Sequence, residues 1–142
     1  MAHAEALCRK RKQRLTPMRR QVLTALAGSH RPIGAYEIMD LVASKGARPA
    51  PITVYRALDF LIEQGLVHRI ESRNAFLACA TRHASDALVA FLICERCGAV
   101  GEAPAGAVMQ AIGQAAKPMG FVPKMPVIEV TGLCAHCQTL EQ

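Results

Sequence analysis

At 51% apolar and 20% charged over 142 residues, the chain has the make-up of a globular protein and not of a disordered one. That length suits one ordinary domain or two small ones, and no apolar run reaches the ~18 residues a membrane helix needs. The formal charge of +6 is uneven: residues 1–80 carry +7 and residues 81–142 carry −1, which points to a polyanion-binding module joined to a near-neutral assembly or sensing module.

In chain order, residues 4–12 give a weakly amphipathic basic helix. Thr16-Pro17 is a helix start, a capping hydroxyl followed by proline at the first position. Met18, Val22 and Leu26 then recur at helical spacing with Leu23 beside them, and Gly28 stops the run. Arg19 and Arg20 lie in its first turn. His30-Arg31-Pro32 reads as a connector. The segment Ala35–Lys45 predicts a second helix with Ile38, Leu41 and Val42 as its apolar stripe.

The stretch from Pro51 predicts a third helix. Val54, Leu58, Leu61 and Ile62 form one stripe, while Thr53, Arg56 and Glu63 face the other way beside Tyr55 and Asp59. Gly65 suits the position just past its end. The period then changes to that of strands: 66–71 and 75–79 flank Ser72-Arg73-Asn74, a hairpin with Arg73 at its turn. Three short helices and a basic-tipped hairpin predict a winged helix, with the third helix and wing offered to DNA. The same hairpin carries His68 and Cys79, both good ligands for a soft metal.

Residues 80–87 lack periodicity and are expected to be a hinge between a domain at 1–79 and another at 88–142. Leu88–Ile93 predicts a strand, Ala99–Glu102 a returning strand, and Pro104 the start of a helix bearing Val108, Met109, Ile112 and Ala116. Val127–Val130 predicts a last strand. The fold class expected is α+β: an N-terminal winged helix plus a C-terminal α/β unit of about 60 residues, thin enough to need metal or a partner subunit.

The six cysteines stand at 8, 79, 94, 97, 134 and 137. No apolar signal core follows the basic residues Arg9 to Arg14, so the expected compartment is the cytoplasm, where metal or redox chemistry outranks disulfides. Cys94-x2-Cys97 and Cys134-x2-Cys137 are separated by 36 residues. Four thiolates close a tetrahedral shell around Zn²⁺ and leave no open position, so this is a structural site. A thiol redox protein would place a CxxC at a helix N-terminus, whereas both pairs here follow strand-like runs. Cys8, His3 and His30 match no constellation and read as surface residues. No Ser/His/Asp grouping, paired carboxylates or glycine-rich phosphate loop occurs, so neither an enzyme nor a small-molecule substrate is expected.

RLTPMRRQVL (14–23), AYEIMDLV (35–42), PITVYRALDFLIEQGLVHRIES (51–72), FLICERCGAVGE (91–102) and GLCAHC (132–137) together resemble the ferric uptake regulator superfamily, and within it the zinc uptake regulators. The resemblance covers nearly the whole chain in order. It implies a homodimer with a winged-helix DNA-binding domain and an α/β dimerisation domain, repressing zinc uptake genes by binding operator DNA when metal-loaded. It assigns structural zinc to Cys94, Cys97, Cys134 and Cys137, and base reading to Tyr55 and Arg56. It assigns a second, regulatory zinc to His68, Cys79 and Glu102, giving two zinc ions per chain. The family's further histidine aligns with Ala87, a departure that leaves His83 as the choice, with Asp86 or water as alternatives. Arg19, Thr53 and Arg73 complete the expected DNA face. An iron-, manganese- or peroxide-responsive relative is the alternative, and the Cys79 thiolate argues for zinc instead.

Overall fold

The structure, a computed structural model, describes residues 1–80, 88–124 and 126–140. The chain divides into two compact units, Met1–Ala80 and Thr81–Gln142.

The first unit opens with α1 (Ala2–Lys10), α2 (Pro17–Ala27), α3 (Ala35–Ala43) and α4 (Pro51–Glu63). Thr16 caps α2 as its sequence requires, its hydroxyl accepting from the Arg19 N–H at 3.4 Å with Pro17 in the first turn. On α4, Val54, Leu58 and Leu61 are fully buried and Ala57 and Phe60 nearly so, while Ile62 is half-buried. Each fully buried aliphatic side chain contributes about 1.5–3 kcal/mol relative to exposure. These residues meet Val22, Leu23 and Leu26 of α2 and Ile38, Met39 and Val42 of α3 in one core.

α3 corrects the expected stripe. Leu41 is 42% exposed, and Met39 is buried in its place. Ala35, Ile38, Met39 and Val42 stand at i, i+3, i+4 and i+7, the face that this short helix turns to α2 and α4. Cys8 is a second correction. It is 1% exposed, packed with Ala4 in the same core because the two lie one turn apart on α1. Burial pushes its thiol above the usual cysteine range. His3 and His30 are exposed, as expected.

The wing is β1 (Val67–Ile70) paired antiparallel with β2 (Ala75–Ala78), joined by a 3-10 turn over Glu71–Arg73 and by Asn74 in the left-handed region at φ 44°. A third strand-like contact is absent from the sequence reading. Ile33, the residue just after the segment read as a connector, exchanges backbone hydrogen bonds with Phe76 at 3.0 and 2.8 Å, and so ties the α2–α3 link to the wing.

In the second unit, β3 (Val89–Cys94) is the centre of a mixed sheet ordered β4-β3-β5, with β4 (Val100–Pro104) antiparallel and β5 (Glu129–Gly132) parallel to it. α5 (Gly106–Ala116) connects them, and α6 (Ala135–Thr139) closes the description. Pro104 does not start the helix. It ends β4 opposite Val89, a place an edge strand allows because proline has no N–H to give. β5 begins two residues later than expected, since pairing of Cys94 with Gly132 sets its register. The proposed hinge, apart from Ala80, lies outside the described residues.

Candidate metal centres and nucleic-acid interface

The four paired cysteines come together because the sheet makes them neighbours. Cys94 ends β3, and its N–H donates to the Ala99 carbonyl at 2.8 Å while Gly98, at φ 75°, turns the chain back. That turn is the first knuckle. Glu95 N–H donates to the Gly132 carbonyl at 2.9 Å, which pins the end of β3 against the end of β5. Cys134 follows two residues later, at the start of α6, and Cys137 sits one turn along it.

All four sulfurs lie within 4.8 Å of one another, with Cys97 and Cys134 Sγ atoms 3.8 Å apart. A tetrahedron with zinc–sulfur bonds of ~2.3 Å has sulfurs about 3.8 Å apart, so the donor set and its spacing fit zinc. The Cys134 N–H donates to Cys94 Sγ at 3.4 Å. Backbone donation from Cys134, then from Cys97, holds the Cys94 thiol down at about 6. Burial, reinforced by the surrounding sulfurs, pushes Cys137 up to about 12. Four thiolates this close repel one another, and a dication is the partner that lets all four deprotonate. One premise of the sequence reading changes: the Cys134 pair does stand at a helix N-terminus, that of α6. The two pairs nevertheless form one four-sulfur cluster and not two separate dithiols.

The wing brings His68 and Cys79 together. His68 is paired with Leu77 across the hairpin, and Cys79 N–H donates to the Leu66 carbonyl at 3.0 Å. Their ligand atoms lie within 4.8 Å of each other, and both residues are half-buried. An imidazole beside a thiolate suits Zn²⁺ better than Fe²⁺ or Mn²⁺. In the second unit, Glu102 is half-buried on β4, opposite Phe91 of β3. His83 and Asp86 fall outside the described residues.

The outer face of α4 presents Thr53, Tyr55, Arg56 and Asp59 to solvent, and Arg73 is exposed at the tip of the wing. Three other exposed arginines of this unit are engaged: Arg31 pairs with Glu37, Arg48 with Asp40, and Arg69 with Glu71. Arg19 is half-buried, its guanidinium stacked 3.5 Å above the Phe60 ring centroid while Nη1 donates to the Arg14 carbonyl. Sequence reasoning passed over Gln64, a buried amide at the end of α4. Its one signal is its place beside Gly65.

The whole chain has counterparts among known proteins. The pattern of the Ferric uptake regulator family matches residues 10–130. The chain is 43% identical to the zinc uptake regulation protein of Escherichia coli (strain K12) over 99% of its own length and 82% of that protein's. It is similar to a zinc uptake regulator complexed with zinc and DNA, at TM-score 0.91 and 43% identity, covering 99% of this chain and 93% of that one. Holo XcZur is similar too, at TM-score 0.84 and 44% identity over 97% and 96% of the two chains. The family pattern spans most of the chain, the likeness to these regulators runs over nearly all of it, and the chain belongs to the ferric uptake regulator family.

Proposed function

We propose that this protein is a zinc-responsive transcriptional repressor that binds operator DNA as a metal-loaded homodimer and controls zinc uptake genes from the cytoplasm. The observation that carries the reading is the near-full-length likeness to a zinc uptake regulator bound to zinc and DNA. Cys94, Cys97, Cys134 and Cys137 hold a structural zinc. A second, sensed zinc is held by His68 and Cys79 of the wing, Glu102 of the second unit, and His83, with Asp86 or water as the other choices. Residues 1–79 then serve DNA, 80–87 act as the hinge, and 88–142 dimerise. Ligands drawn from both domains make the sensed zinc favour the arrangement that fits DNA, and by linkage DNA tightens zinc by the same factor.

Dimerisation is supported by what the second unit leaves uncovered. Leu92 and Val130 stand opposite each other on β3 and β5 at 47% and 52% exposure, and on α5 Val108 and Ile112 are 45% and 41% exposed. α5, which carries the expected Val108, Met109, Ile112 and Ala116, buries Ala116 alone among its described residues. A second copy gives these apolar residues a partner, and among the described residues β5 stands at the edge of the sheet.

On DNA, Thr53, Tyr55 and Arg56 enter the major groove, Arg56 forking onto guanine and Tyr55 offering its edge to a thymine methyl, while Arg73 follows the wing. Arg19 reaches phosphate from its fixed pose above Phe60. Arg56→Ala and Tyr55→Ala are each expected to weaken specific binding by about 1–3 kcal/mol in a mobility-shift titration. Footprinting is expected to show two half-sites about one helical turn apart. A single asymmetric half-site, or normal binding by Arg56→Ala, contradicts the assignment.

A further inference from the structure

Gln64 is the one buried polar side chain among the described residues, 8% exposed at the C-cap of α4. The last turn of a helix leaves carbonyls without partners inside it. Here the chain's own reversal, with Gly65 at φ 72°, answers two of them: Gly65 N–H donates to Ile62 and Leu66 N–H to Leu61, each at 2.9 Å. The Gln64 carbonyl is met differently. Arg11 Nη1 donates to it at 3.1 Å and to Gln64 Oε1 at 3.1 Å. A guanidinium at this end also opposes the negative pole of the helix.

Arg11 is itself held in place. α1 buries Ala4 and Cys8 in the core, and its Glu5 pairs with Arg20 of α2. The helix stops at a tight reversal where Lys12 takes φ 54° and Gln13 N–H donates to the Cys8 carbonyl at 2.8 Å. Arg11 thus leaves a fixed corner and grips the junction where α4 ends and β1 begins. That junction sets the pose of the helix and the root of the wing together.

We propose that Arg11, received by Gln64, is a positioning residue for sequence-specific DNA recognition: it acts through α4 and does not contact the duplex. The inference rests on the reading of α4 as the helix that reads DNA. It separates Arg11 from the basic residues around it, whose charge alone would suggest phosphate contacts.

The test uses the zinc-loaded full chain, a duplex selected by the wild type from a random-sequence pool, and a scrambled duplex of equal length. Arg11→Ala is expected to bind the selected duplex about tenfold more weakly, with scrambled binding and the salt slope unchanged. Gln64→Glu, which keeps an acceptor for Arg11, is expected to bind as wild type does. In Arg11→Ala/Gln64→Ala the losses are expected not to add in full, since the hydrogen bond that Gln64→Ala removes is one of the two that Arg11→Ala removes. Equal loss on both duplexes, with the salt slope falling by about 1, marks a phosphate contact and overturns the proposal. Unchanged affinity overturns it as well. A melting curve checks that Arg11→Ala is folded, and Arg11→Lys, expected to recover part of the loss, serves if it is not. Hydrogen exchange at the Gly65 and Leu66 amides gives a reading without DNA: about tenfold faster exchange in Arg11→Ala is expected, and an unchanged rate removes the brace. If selection yields no preferred duplex, the reading of α4 fails, and exchange still decides whether Arg11 fixes its end.

Discussion

Cys97→Ser is expected to unfold the second unit and take dimerisation with it. The cluster ties the end of β3 to the start of α6, and among the described residues the sheet around it has three strands, with Leu92 and Val130 exposed on it. Structural zinc supplies about 10–16 kcal/mol to the folding of zinc-finger peptides, as much as the whole stability of a typical domain. Serine offers no comparable ligand, and the remaining sulfurs are left within 4.8 Å of one another without the charge that reconciles them. The same loss is expected for Ser at 94, 134 or 137. Circular dichroism, metal content and sedimentation read it together. A Cys97→Ser protein that stays dimeric and melts as wild type does would mean the cluster is not structural.

Cys79→Ser is expected to do something different. It removes a proposed ligand from the wing and leaves the four-cysteine cluster intact, so the chain should keep one zinc, stay dimeric and melt normally. What it should lose is the response: zinc-stimulated operator binding should fall by about 5–150-fold, the range of ordinary allosteric coupling. His68→Ala is expected to behave alike, and Glu102→Ala more mildly because water can replace one carboxylate oxygen. His83→Ala decides the fourth ligand, since an unaltered response moves that place to Asp86 or solvent. Full zinc-dependent binding by Cys79→Ser would mean that Cys79 packs the end of the wing and holds no sensed zinc.

The parts of this molecule that sequence made legible are those whose chemistry repeats at a fixed spacing. Val54, Leu58 and Leu61 mark one face of α4 without help from any other element, and two CxxC pairs announce a tetrahedral site wherever the chain carries them. What stayed hidden depends on partners far away in sequence. Both Met39 and Leu41 are compatible with a helix, and only the packing of α2 and α4 decides which is buried. Cys8 carries no local sign that its helix docks onto the core. Nothing in His30-Arg31-Pro32 foretells that the next residue, Ile33, pairs with Phe76. Arg11 and Gln64 are 53 residues apart, and no periodicity links them. α5 shows the opposite case, a stripe legible as apolar in the sequence of which Val108 and Ile112 stay exposed.

The central claim, that zinc at a second site switches DNA binding, is tested most directly by titrating the dimer with buffered zinc while following metal content and operator binding in the same samples. The account predicts two zinc ions per chain at saturation, with operator binding rising only as the second one enters. Operator binding that is already complete at one zinc per chain, or that does not change with zinc, would contradict it.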